Sequence, residues 1–230
     1  MRLFRRPDIT TVGAGRTDAG VHALGQVMTM ADAPDDFDAI KLQNALNALC
    51  GPQIAVTSCR AVDEAFHARF SARSRLYNYA ILESATPDPF LARTSLHHPQ
   101  RLSLEAMNEA AGHLLGKHDF SSFGRVAEGT SAERTLFELR AYRSGGLVRI
   151  RARANAFIQQ MVRSIVGTLL ETGEGKRTPD GVRATLAARD RATAGPVAPP
   201  QGLCLVSVDY EEGWSVPPQV QEFDPPKGAG

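Results

Sequence analysis

From Thr11 to Val27 the chain reads TVGAGRTDAGVHALGQV, four glycines with an arginine and an aspartate among them. That mixture allows three chemistries. Gly13 and Gly15 could bring backbone N–H groups against a phosphate. Asp18 could form a plain turn by hydrogen-bonding its own backbone. Asp18 beside Arg16 could also be a carboxylate held ionised and aimed by a guanidinium. A dinucleotide fingerprint needs a third glycine at position 18 and a helix after it. Asp18 stands there instead, VHALGQVMTM follows with the alternation of a strand, and a carboxylate would repel a pyrophosphate. The phosphate cradle is excluded, while residue types alone leave the turn and the catalytic mount both open.

Other candidates lie further along. Tyr77 and Tyr79 in RLYNYAIL alternate, so they share one strand face, and both suit a packed core. Arg163 lies off the apolar stripe of its helix, where a solvated arginine is the plain reading. Arg149, Arg151 and Arg153 share one face of a strand, which suits either phosphate binding or a solvated sheet. His22 and His67 are read as structural. The six histidines lack metal-ligand spacing, and Cys50, Cys59 and Cys204 are scattered. No metal, cofactor or disulfide framework is expected, and free thiols suit a reducing cytoplasm.

The elements that would position these residues follow from periodicity. RLYNYAIL is a strand, and LSLEAMNEAAGHLLG is a helix capped by Ser103. RTLFELRAYR and LVRIRARA form a hairpin about SGG. Apolar pairs four apart from Phe157 to Leu170 mark a helix that ends near Gly173 and Gly175. CLVSVDY closes the set as a buried strand. The order β-α-β-β-α-β is that of a ferredoxin-like split unit. Earlier, DITTV, GVHALGQVMTM and QIAVTSCRAV read as strands, with a helix over FDAIKLQNALNALC before the third. The fold class is therefore α+β, two ferredoxin-like halves sharing one antiparallel sheet, the first without its initial strand and helix. RLFRRPDI resembles a helix end leading into a strand, so Met1 is read as lying inside a longer chain or a diverged copy. Residues 1–73 form the first half, 74–214 the second, and 215–230 a Pro/Gly-rich disordered tail.

The 43% apolar and 22% charged shares are those of a globular protein, and no apolar run approaches the ~20 residues that span a bilayer. The net charge of +1 is unevenly spread: eight arginines against three glutamates lie from Arg125 to Arg163. An arginine-rich middle is compatible with a polyanion groove.

AGRTDAGVHALGQV resembles the signature of the tRNA pseudouridine synthase A family. FHARFSARSRLYNYAI, FIQQMVRSIVGTLLETGEG and APPQGLCLVSVDY resemble its later blocks, in order and over nearly the whole chain. The resemblance implies two ferredoxin-like halves with an RNA-binding cleft between them. It implies isomerisation of uridine to pseudouridine in the anticodon stem-loop of tRNA, by a cytoplasmic homodimer without metal or cofactor. By position, Asp18 is the catalytic carboxylate, Arg16 belongs to its loop, Tyr77 is the active-site tyrosine and Arg163 the arginine paired with the aspartate. A noncatalytic RNA-binding module on the same sheet is the competing reading, disfavoured because a pure binder needs no carboxylate beside a polyanion. Ala156 departs from the family, which usually has glycine there.

Overall fold

The computed structural model describes residues 9–31 and 37–211. The expected helix end before Ile9 and the expected tail 215–230 lie outside these residues. In chain order the elements are β1 (Thr11–Gly13), β2 (His22–Ala23), β3 (Met28–Met30), α1 (Ala39–Cys50), β4 (Ser74–Glu83), β5 (Leu96–His98), α2 (Leu104–Gly112), β6 (Gly116–Asp119), β7 (Glu133–Ser144), β8 (Leu147–Ala154), α3 (Met161–Gly173), α4 (Pro179–Ala188) and β9 (Leu203–Asp209).

Among the described residues seven strands form the main sheet, in the order β2-β9-β4-β8-β7-β6, with β5 alongside the end of β4. Strand β4 is its centre, antiparallel to β8 on one side and β9 on the other. Apolar residues recur at every second position of β8: Val148, Ile150, Ala152 and Ala154 are buried, while Arg149, Arg151 and Arg153 alternate with them. Tyr77 and Tyr79 stand opposite Ala152 and Ile150, so they share that inward face. Helices α2 and α3 cover it with Met107, Ile165, Val166 and Leu169. The β7/β8 turn needs Gly145 and Gly146, at φ +59 and +76, where a side chain would be strained. Ser103 caps α2 as expected, its hydroxyl accepting from the Ala106 N–H.

The residues before Arg75 depart from expectation. GVHALGQVMTM is not one strand. Its first part, β2, runs parallel to β9, and its last, β3, pairs with β1 in a separate two-stranded sheet. Gly25 is where they part. The N–H groups of Leu24 and Gly25 both donate to Leu205 O, and a Cβ at Gly25 would stand 2.3 Å from Val206 O. Val206 is the extra residue where the β4–β9 register shifts, so the chain crosses a bulge and leaves the sheet. QIAVTSCRAV forms no strand. The backbone of Val56 is paired instead with the side-chain amide of Asn47, which donates at 3.0 Å and accepts at 2.6 Å, and Gln43 donates to Val56 and Thr57. Side chains of α1 thus satisfy this segment where a neighbouring strand would have. The first helical turn expected at Phe157 is also absent. Gln160 adopts φ +65, and α3 starts only at Met161.

Candidate active site

The loop from β1 to β2 is built from its backbone outward. Ala14, almost wholly buried, donates to Val27 O at 2.8 Å, and the Gln26 amide donates to Gly15 O at 2.8 Å. Val21 N–H donates to Asp18 O at 3.0 Å, closing a turn that Gly20 completes at φ +84. The turn is thus made by the backbone carbonyl of Asp18, and its carboxylate stays available. Oδ2 accepts a charge-assisted hydrogen bond of 2.6 Å from Nη1 of Arg163, 145 residues later in the chain. Both side chains are mostly buried, at 31% and 13% exposure, so water screens the pair only partly.

Arg163 is fixed from behind. Its Nε donates to Ala198 O at 2.7 Å while its own carbonyl accepts from Ala198 N–H at 3.0 Å. The strand-like segment that provides Ala198 presses against α3 at Gly167, where a Cβ would lie 1.7 Å from Pro196 O. It continues to Pro199, whose carbonyl accepts from the Tyr79 hydroxyl at 2.8 Å, and to Pro200, whose ring would lie 3.1 Å from a Cβ on Gly20. This one stretch therefore spaces α3, β4 and the loop that carries Asp18. Tyr79 is a structural tyrosine.

Tyr77 differs. It is 7% exposed, its ring meets Phe157 edge-on at 5.2 Å, and a Cβ on Gly15 would be 3.6 Å from its hydroxyl. It therefore lies under the loop that carries Asp18. Burial pushes its phenol up to about 12, the Arg75 charge pulling down and the Asp18 charge pushing further up. Tyr77 is a neutral phenol at neutral pH.

Arg75 was not singled out by its sequence, although an arginine in register with Tyr77 and Tyr79 had to point inward. It is 7% exposed. Its guanidinium donates to Ala14 O through Nε and Nη2, to Ala72 O and Asn155 O through Nη1, and to Arg69 O through Nη2. Four carbonyls from three loops replace the carboxylate a buried cation ordinarily needs, and burial lowers its pKa. One side chain thereby fixes the root of the Asp18 loop to β4 and to the turn ahead of Phe157.

Other sequence candidates lie elsewhere. Arg16 is exposed, and among the described residues it makes no ion pair with Asp18. The guanidinium on Asp18 comes from Arg163. Arg149, Arg151 and Arg153 occupy the sheet face opposite to Tyr77, and the last two are engaged by acids: Arg151 by Glu138 at 3.1 Å, Arg153 by Asp209 at 3.3 Å. His22 bonds Arg93 O at 2.7 Å, and His67 Nδ1 accepts from the Arg69 and Phe70 N–H groups. Among the described residues no cluster of His, Cys, Asp or Glu could hold a metal, and the three thiols are free.

Comparison with known proteins places this geometry in context. The profile of the family described as tRNA pseudouridine synthase matches residues 110–211. The tRNA pseudouridine synthase A of Rhizobium leguminosarum bv. trifolii is 47% identical over 204 residues, covering 87% of this chain and 76% of the relative. That of Agrobacterium fabrum is 46% identical over 229 residues, covering 95% and 83%. That of Rhodopseudomonas palustris is 45% identical over 201 residues, covering 86% and 81%.

Proposed function

The chain belongs to the tRNA pseudouridine synthase A family, and from that premise we propose that it isomerises uridine to pseudouridine in the anticodon stem-loop of tRNA, with Asp18 as the catalytic carboxylate. The observation that carries this reading is the 2.6 Å pair between Asp18 and Arg163 at the mouth of a glycine-bearing loop. A carboxylate made available by its own turn and held by a buried-side guanidinium is suited to a reaction that develops positive charge on a sugar.

The reaction breaks the N1–C1′ bond, turns the uracil and joins C5 to C1′; N1 gains the proton that C5 loses, so nothing is consumed. Asp18 either adds to C1′ or assists by proton abstraction. Arg163 keeps it oriented in either case. The target base must leave its stack, and Tyr77 with Phe157 offers it an aromatic wall. As a neutral phenol Tyr77 enters as a hydrogen-bond donor. It serves the C5 proton transfer only once a base takes its own proton.

The strands β4, β7, β8 and β9 with α2 and α3 are read as the ferredoxin-like second half, residues 74–214, since they stack fourth, first, third, second in order of appearance. Residues 1–73 form the first half, and the enzyme acts as a cytoplasmic homodimer. Arg149, Arg151 and Arg153 contribute to RNA binding, the last two only where Glu138 and Asp209 release them, and Arg16 meets the substrate from its exposed position.

The test is Asp18→Asn assayed on unmodified tRNA. Pseudouridine formation is expected to fall by roughly three or more orders of magnitude while tRNA affinity stays within a fewfold of the parent. Retained turnover rejects the mechanism. A parent chain that binds tRNA without any turnover returns the noncatalytic RNA-binding module.

A further inference from the structure

The geometry points to the turn 67–70 as a stacking platform for a nucleobase of the bound tRNA outside the catalytic cleft, with Phe70 as the ring and Arg69 as its cation; this rests on the functional reading above. Phe70 is 76% exposed, although the ring is already flanked. The His67 ring lies 4.4 Å away at 32°, and the Arg69 guanidinium carbon 5.6 Å from the Phe70 centroid. Three-quarters of a large aromatic side chain thus remain open with both neighbours in place. Base stacking is tolerant of sequence because every base has a π-face, and a cation beside the ring reinforces it.

The platform is rigid. Ser71 N–H donates to His67 O at 2.9 Å, His67 N–H donates to Ser71 Oγ at 2.9 Å, and both Arg69 and Phe70 N–H groups donate to His67 Nδ1 at 3.2 Å. An aromatic ring held out by a closed turn has already lost much of the freedom that binding would remove. It is also tied to the chemistry, because Arg75 joins the Arg69 carbonyl to the Ala14 carbonyl at the root of the Asp18 loop. Charge favours a polyanion over a protein partner. The cation at the ring is Arg69, which is in no ion pair among the described residues, whereas Arg73 is paired with Glu211 and Arg75 is buried. Phe90 gives the contrast: it is 95% exposed, yet among the described residues no ring or cation stacks on it.

The experiment measures tRNA dissociation constants, steady-state kinetics and oligomeric mass for the full chain and three variants. Phe70→Ala is expected to raise Kd and KM by about 5- to 100-fold, the range one stacked base supports, with kcat within about twofold. Phe70→Trp keeps parental affinity, and Phe90→Ala changes neither constant. Unchanged tRNA affinity in Phe70→Ala overturns the platform. So does a change of oligomeric mass in that variant, which assigns the ring to a second copy of the chain. Binding is read apart from turnover, so a parent protein that makes no pseudouridine overturns the reaction assignment and leaves the platform's own test intact.

Discussion

Arg163 is the residue on which the site's geometry turns, because it makes two different kinds of bond at once. Nη1 meets the Asp18 carboxylate at 2.6 Å and Nε meets the Ala198 carbonyl at 2.7 Å. A lysine offers one ammonium in place of that fork, so it can satisfy either partner but not both. Arg163→Lys is therefore expected to lower kcat by about 10- to 100-fold, with a smaller change in KM, since the carboxylate keeps a cation but loses its aim. Single-turnover pseudouridine formation checks this, and an unchanged rate would remove Arg163 from the site. Asp18 is the contrasting case in legibility. Its residue type left a turn and a catalyst equally open, and the structure separates the two functions within one residue, backbone for the turn and carboxylate for the arginine. Nothing local in the sequence could announce a partner 145 positions away; only the family motif did.

Elements transmit that geometry, and α3 with the segment before β9 is the critical pair. Gly167 lets Pro196 and Ala198 lie directly on the helix, which is how Ala198 reaches Arg163. Gly167→Ala would set a methyl 1.7 Å from a backbone carbonyl, so the segment must move. A loss of about 3 kcal/mol or more is expected in urea unfolding, and the folded fraction should lose kcat more than tRNA affinity. A variant as stable and active as the parent would show that the contact positions nothing. The same comparison explains what periodicity could and could not reveal. Strands β4, β7, β8 and β9 and helices α2 and α3 were legible because each buries one face, as the alternation Val148, Ile150, Ala152 does in β8, whereas the short β5 and β6 and helix α4 went unread. Before Arg75, Ile54 and Val62 of the expected strand QIAVTSCRAV stay exposed, so an apolar pattern there overstated the sheet. Gly25 and Val206 decided where β2 ends through a contact between distant backbones, and Asn47 replaced a strand with a side chain. Such long-range substitutions leave no period.

At the scale of the molecule, buried phenols link the core to pH. Tyr77, Tyr79 and Tyr210 are all at most 7% exposed, and two of their hydroxyls donate to backbone carbonyls, Tyr79 to Pro199 O and Tyr210 to Ala68 O. Burial raises all three phenols, Tyr77 and Tyr210 to about 12, against an unfolded value of 10.0. Arg75, set between Tyr77 and Tyr210, lowers both and so limits the shift. The sign follows from linkage: below pH 10 each phenol is protonated in folded and unfolded chains, so its contribution is fully present. Above pH 10 the unfolded chain ionises while the folded one does not, and stability drains away as pH climbs toward about 12. At most ~3 kcal/mol per tyrosine is lost across that window. Urea midpoints measured from pH 8 to 11.5 should therefore hold level and then fall, and Tyr77→Phe should flatten the fall by removing one ionisation from the unfolded chain. An equally steep decline in that variant would mean that Tyr77 titrates alike in both states, and that the hydroxyl under Gly15 is open to water in a way its burial denies.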